Sequence, residues 1–257
     1  MKALRLWPLL TAVHRYDKSF STRGRGEGEL IEAPILAYLV ETPSGRVLID
    51  VGCDYSKLVD PALRARYYER GDAMLPVPNM HAEQRIPAYL ARLGIGPHDV
   101  DAVILTHLHF DHAGGLQEFA HADVHVHARE LLAARELADP VYFEDEVRIA
   151  AHFRVRSGEH ALYPGITTVE TPGHTAGHLS VLVELDSGPI LLAGDAADLC
   201  ENIDEEIAPG LCYRDDPAPA IASIRKLKEL ARSTGATLWP NHDMAFFRRL
   251  KQFPDSY

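Results

Sequence analysis

Cysteine is scarce in this 257-residue chain: Cys53, Cys200 and Cys212 are its only three, widely spaced and without a C-x-x-C pair. An odd, scattered set gives no disulfide framework and fits a reducing, cytoplasmic setting. Long apolar runs are also missing. None reaches the roughly 18 residues of a transmembrane helix. The opening stretch Met1–Val13 is broken by Arg5 and Pro8, and no small-x-small cleavage site follows. It reads as a first β-strand around Ala3–Trp7 rather than as a leader. There is no basic run, and 26 Lys+Arg against 37 Asp+Glu leave a formal net charge of −11. That balance opposes binding to a phosphate backbone, so no nucleic-acid partner is expected, and no membrane partner either. Low-complexity linkers and short-period repeats are absent. With 46% hydrophobic and 25% charged residues, a single soluble domain over 1–257 is expected.

What the chain has in excess is histidine, 14 in all, and their placement carries the argument. Ile35–Val40 and Arg46–Asp50 read as two strands around Pro43-Ser44-Gly45. Tyr55–Asn79 lacks clear periodicity but holds Tyr67, Tyr68, Met74 and Leu75, as a lid, a pocket wall or a plain surface excursion would. A helix is predicted over Glu83–Leu93, with Pro87 in its first turn and Gly94 as its stop. Asp101–Thr106 is a short apolar run and reads as a buried strand. Asp123–His127 is a further strand and Arg129–Ala138 a helix. Strands near Ile166–Thr171, His178–Leu185 and Pro189–Ala193 follow. Ile221, Ile224, Leu227 and Leu230 then recur at helical spacing after Pro217. Ala236–Trp239 is a last strand and Met244–Lys251 a closing helix. Two sheets packed together with helices outside, an α/β sandwich, suit this order.

His107-Leu108-His109-Phe110-Asp111-His112 leaves the strand Asp101–Thr106 directly. Four ligand-type side chains within six residues of one loop can converge on a point, and imidazole with carboxylate suits zinc or a similar divalent cation. A plain polar turn has no need of such a set. Three more candidates also sit at strand ends: His174 in Thr171-Pro172-Gly173-His174, Asp195 in Ala193-Gly194-Asp195, and His242 in Pro240-Asn241-His242-Asp243. Each alone is an ordinary turn residue; together they mark one end of a scaffold as the site. Seven ligands exceed the need of one tetrahedral cation, so two divalent metals bridged by a carboxylate are implied.

The succession H-L-H-F-D-H, T-P-G-H, G-D-A and a late N-H-D resembles the metallo-β-lactamase superfamily, in the HxHxDH…H…D…H form of its dinuclear hydrolases. The likeness implies a four-layer αββα sandwich. It implies one metal on His107, His109 and His174, another on Asp111, His112 and His242, and Asp195 between them. Zinc is the default; iron, manganese and cobalt suit the same shell. Within that superfamily, THLHFDHAGG (106–115), TPGHTAGHLSV (171–181) and the ending HDMAFFRRLKQFPDSY (242–257) resemble the quorum-quenching N-acyl-homoserine lactonases. That implies a metal-dependent hydrolase that opens a small-molecule lactone. One departure stands out. Those lactonases carry a tyrosine three residues after the bridging aspartate, near the substrate carbonyl. Here the run is Asp195-Ala196-Ala197-Asp198, so either Asp198 or Tyr213 from the next loop would have to serve.

In the expected reaction two metals bring a bridging water's pKa near neutrality, and the hydroxide attacks the lactone carbonyl. Asp111, then Asp195, is the candidate proton donor to the leaving alkoxide. Phe110 is a candidate wall of the acyl pocket. His178 is expected to support the metal shell, while His125 and His127 are expected on an exposed or edge strand. The alternative activity is hydrolysis of another lactone, or of a thioester as in glyoxalase II. Few residues follow His242 to bind glutathione, which disfavours the latter. Asp111-His112 disfavours a β-lactamase, the acidic charge a nuclease, and His109 a flavodiiron-type oxidoreductase. Nothing in the ligand set points to a non-enzymatic sensor. Leu58–Leu75 could form a homodimer surface or a lid.

Overall fold

The computed structural model describes residues 1–69, 76–136, 140–149 and 153–257. Gly71, Met74, Leu75 and Ala138, which belong to expected segments, lie outside the described residues. The first half holds β1 (Arg5–Asp17), β2 (Leu30–Thr42), β3 (Gly45–Ile49), α1 (Tyr55–Val59), α2 (Pro61–Tyr67), α3 (Ile86–Arg92), β4 (Ala102–Ile104), α4 (Phe110–Ala113), β5 (Asp123–His127) and α5 (Ala128–Glu136). The second holds α6 (Glu144–Arg148), β6 (Arg154–Arg156), β7 (His160–Tyr163), β8 (Ile166–Glu170), β9 (Leu179–Val183), β10 (Ile190–Leu192), α7 (Cys200–Glu205), α8 (Ala218–Thr234), β11 (Thr237–Trp239) and α9 (Met244–Phe247).

One sheet runs β1-β2-β3-β4-β5-β6 and the other β11-β10-β9-β8-β7. Alternation along β2 explains how they pack. Leu36, Tyr38 and Val40 face the second sheet and join Val47, Ile49, Ile104, Val181, Val183, Ile190, Leu192 and Trp239 in the central core. Ala37 and Leu39 face outward and are covered with Ile86, Leu90, Phe119 and Leu131, partly from α3 and α5. On the far side Leu182 and Leu191 of the second sheet pack beneath Leu227 of α8. The expected αββα sandwich is therefore present, with helices on both outer faces.

Local signals account for the element ends. Pro87 stands in the first turn of α3, where its missing N–H costs nothing. Gly235, at φ 71°, ends α8 in the left-handed region.

The boundaries differ from expectation in instructive places. β1 continues to Asp17 because it pairs antiparallel with β2 almost throughout, and that pairing outweighs Arg5 and Pro8. The expected helix over 83–93 is split at Arg85, whose backbone is extended, into a 3₁₀ turn and α3. The closing helix stops at Phe247. β5 is no edge strand: it pairs with β4 on one side and β6 on the other. His125 and His127 are accordingly buried, 6% and 4% exposed. A carboxylate does accompany His127, whose Nε2 lies 2.7 Å from Glu170 Oε1.

Candidate metal centre

The seven expected ligands come together at one rim of the sandwich. Each follows the C-terminal end of a strand: β4 for His107, His109, Asp111 and His112, β8 for His174, β10 for Asp195, β11 for His242. Asp195 lies between two trios. Its Oδ1 is 3.3 Å from His112 Nε2 and 3.2 Å from His242 Nε2. Its Oδ2 is 3.4 Å from His174 Nε2 and 3.7 Å from His107 Nε2, and it also approaches His242 Nε2 at 3.2 Å. Asp111 Oδ2 stands 3.7 Å from His112 and 3.8 Å from His242. His109 Nδ1 meets His174 Nε2 at 3.1 Å. A tetrahedral cation with bonds of about 2.0–2.1 Å holds its ligand atoms roughly 3.3 Å apart.

The outer ring nitrogens fix which atoms face inward. His174 Nδ1 donates to Leu211 O at 3.1 Å, and His242 Nδ1 to Pro34 O at 2.8 Å. His112 Nδ1 lies 2.8 Å from Asp50 Oδ2. These contacts set tautomer and ring orientation, as partners of metal-bound imidazoles do. The Nε2 atom of His107 is buried and forms no hydrogen bond, an expensive arrangement unless a cation takes it up. Burial holds His107 and His109 well below the usual imidazole range, so they stay neutral, as ligands must. Burial also opposes charge on His112 and His242, yet Asp195 and Asp111 outweigh it and raise both, His242 to about 10. Carboxylates strong enough to hold buried imidazolium are suited to divalent cations. The residues present therefore fit a dinuclear metal site.

Several contributors were not singled out from sequence. Asp50, at the end of β3 with φ 58°, accepts from the Thr106 N–H and hydroxyl, both at 2.8 Å, besides facing His112. A positive φ at a non-glycine residue is strained, and it looked like an ordinary strand terminus in sequence. Asn241 Nδ2 donates to Asp195 Oδ1 at 2.9 Å. His14, Tyr16 and Phe20 line the metal cavity with Phe110, Asp111, Val141, Asp198 and Leu211. Ending β1 at Trp7 concealed them; only the alternation of its second half could have shown that face.

The expected substrate residues separate. Phe110 and Asp198 line the metal cavity. Asp198 is buried, and its Oδ1 has no hydrogen-bond partner. Burial first, and then Asp195, push its carboxyl up to about 7. Tyr213 instead lines a neighbouring cavity of about 430 Å³ with Arg129, Leu132, Pro172 and Thr175. Its N–H donates to Gly173 O at 2.8 Å, which holds it against the outside of the His174 loop. Gly114 and Gly115 serve the fold. A Cβ there would lie 2.3 Å from Asp54 N or from Val51 O.

An αββα sandwich with this site at its rim is the mark of a dinuclear metallohydrolase. The chain belongs to the metallo-β-lactamase superfamily, whose family profile it matches over residues 31–242. It is 34% identical to an N-acyl homoserine lactonase of a Bacillus species over 229 residues, 89% of this chain and 88% of the relative. It is 32% identical to the lactonase AttM of Azorhizobium caulinodans, over 91% and 90% of the two chains. A solved N-acyl homoserine lactone hydrolase with N-hexanoyl-L-homoserine bound at its catalytic metal centre superposes with TM-score 0.89 at 28% identity, over 100% of both chains. A variant of Bacillus thuringiensis AiiA holding N-decanoyl-L-homoserine at its active site gives 0.90 at 28%, again over the whole of both.

Proposed function

We propose that this chain opens the ester bond of N-acyl-homoserine lactones and so quenches quorum signals. The observation that carries this is the place of Asp195 between the two trios, Oδ1 beside His112 and His242 and Oδ2 beside His107, His174 and His242, in a chain akin to lactonases over most of its length. Zinc is the proposed metal, residues 1–257 the proposed single domain, and the cytoplasm the proposed setting, consistent with three free cysteines. Among the described residues no helix is long and apolar enough to cross a membrane. A homodimer through the Leu58–Leu75 segment is kept as a proposal; 58–69 are described, as the last two residues of α1, all of α2 and the turn after it.

Two bound divalent cations would supply Lewis acidity and an activated water. The remaining work falls to the chain. Asp195 and the histidines fix the reacting centre on rigid strand ends, which limits the reorganisation needed at reaction. Asp111, near His112 and His242, would take the proton released by the attacking water and hand it to the alkoxide released by ring opening. Phe110 packs its ring on Phe143 at 5.1 Å and 17°, offering an apolar wall to an acyl chain. Asp198 faces the same cavity. It is buried with Oδ1 unpartnered, so in its protonated form it can donate to the substrate carbonyl.

The test is a panel of acyl-homoserine lactones, other lactones, thioesters and β-lactams, before and after chelation and with Asp111→Asn. Acyl-homoserine lactones are expected to be turned over best, with activity lost on chelation and restored by metal. Preference for a thioester or another lactone would replace the substrate. Full activity after chelation would reject the metal mechanism.

A further inference from the structure

Glu130 of α5 is fully buried, yet it lies outside the set of metal ligands. Its carboxylate accepts four hydrogen bonds. Oε1 takes the Leu108 N–H and the Tyr142 hydroxyl, both at 3.0 Å. Oε2 takes the Thr175 hydroxyl at 2.6 Å and the Gly177 N–H at 3.1 Å. Four donors match the roughly four acceptor sites of a carboxylate, the condition under which a buried charge is tolerable. The donors are not scattered. Leu108 lies between His107 and His109, Thr175 directly follows His174, and the ring of Tyr142 packs on His109 at 4.8 Å. One carboxylate thus ties together both loops that carry the trio His107, His109 and His174.

The other trio leans on different groups. His112 is held by Asp50, which also takes the Thr106 N–H and hydroxyl, and His242 by Pro34 O. We propose that Glu130 is the positioning residue of the His107–His109–His174 metal position, whereas Asp50 braces His112 directly and reaches that first trio only at His107, through the Thr106 hydroxyl 3.1 Å from His107 Nδ1. Glutamine at 130 would keep the shape but turn an amide NH₂ towards one pair of donors. The His107–His109 and His174 loops would then lose their common anchor, while Asp50 and Pro34 would be untouched.

The inference rests on the dinuclear reading of the site, and the experiment separates the two. Zinc binding is measured by competition with a chromophoric chelator in two single-site backgrounds. His242→Ala leaves the Glu130-braced position, and His174→Ala leaves the Asp50-braced one. Glu130→Gln is expected to weaken zinc about 10–100-fold in the first background and to leave the second within about twofold. Asp50→Asn is expected to weaken the second background about 10–100-fold and the first by less, through Thr106. Thr175→Val, which removes one donor at constant shape, should weaken the first background about tenfold and carries the comparison if Glu130→Gln does not fold. Equal losses in both backgrounds, or none in either, would overturn the assignment. A parent protein binding fewer than two zinc equivalents would instead overturn the dinuclear reading.

Discussion

His178 Nε2 accepts the backbone N–H of Asp195 at 2.9 Å. Its other nitrogen starts a chain of fixed direction: Nδ1–H donates to the Thr171 hydroxyl at 2.9 Å, Thr171 to Ser180 at 2.8 Å, and Ser180 to the Ala193 carbonyl at 2.6 Å. Burial holds this imidazole at about 3, so Nε2 stays an acceptor. Gly194, at φ 57°, permits the approach; a Cβ there would lie 2.7 Å from His178 Nε2. His178→Ala would leave the Asp195 N–H without its partner and free the Asp195 carboxylate to turn. Metal affinity is expected to fall about 10–100-fold, read by chelator competition. Unchanged affinity for both equivalents would show that Asp195 is held by Asn241 alone.

The convergence of the seven histidine and aspartate side chains was legible in the sequence because metal chemistry concentrates rare residue types at strand ends, and a short loop such as 107–112 cannot scatter them far. The αββα layering was legible from alternation and helical spacing. What stayed hidden depended on contacts across long sequence distance. Asp50 reads as a strand terminus until His112, 62 residues away, turns its Nδ1 towards it. Glu130 reads as a surface residue of an amphipathic helix until two loops fold over it. The burial of His125 could not be inferred because the three-residue β6, which covers β5, is too short and polar to announce itself.

Lys57 is 2% exposed and ties α1 to α6. Its Nζ lies 2.6 Å from Glu146 Oε1, 2.8 Å from Asp145 Oδ2 and 4.4 Å from the centre of the Tyr67 ring. The anchored segment carries Phe143 and Val141, which back Phe110; the Phe110 N–H donates to Val141 O at 3.1 Å. Burial pushes the Glu146 carboxyl up to about 8 even beside Lys57, so Lys57→Met would leave it protonated and lacking its partner, at a cost of about 1–3 kcal/mol at neutral pH. Urea denaturation should show that loss, and adding Glu146→Leu should recover most of it. A single variant within about 1 kcal/mol of the parent would mean the pair is energetically equivalent to a surface one.

Asp198 separates shape from hydrogen bonding at the reacting centre. Asp198→Asn keeps the size and a donor, whereas Asp198→Leu keeps the approximate volume and removes the donor. If the group donates to the substrate carbonyl, Leu is expected to lower kcat about 10²-fold and Asn to stay within about tenfold. Steady-state kinetics on one acyl-homoserine lactone, with metal content matched, decides it. A leucine variant with parental kcat would remove Asp198 from the reaction.

Buried His125 makes stability depend on pH independently of the metals. Both its ring nitrogens lack hydrogen-bond partners, and the ring packs edge-on to Tyr163 at 6.1 Å. Burial, helped by Arg156, holds it at about 4, below the 6.5 of an unfolded histidine. The unfolded chain therefore takes up a proton between pH 6.5 and 4 that the folded chain refuses. Stability falls as pH drops through that window, by at most ~3 kcal/mol at its lower end. Metal release in acid also destabilises the protein, so the informative quantity is the difference between parent and His125→Leu at each pH. Leucine fills the site without titrating, and the parent is expected to lose ground to it by about 1–3 kcal/mol between pH 7 and 4.5. Parallel stability curves for the two would mean that His125 takes up its proton inside the folded protein.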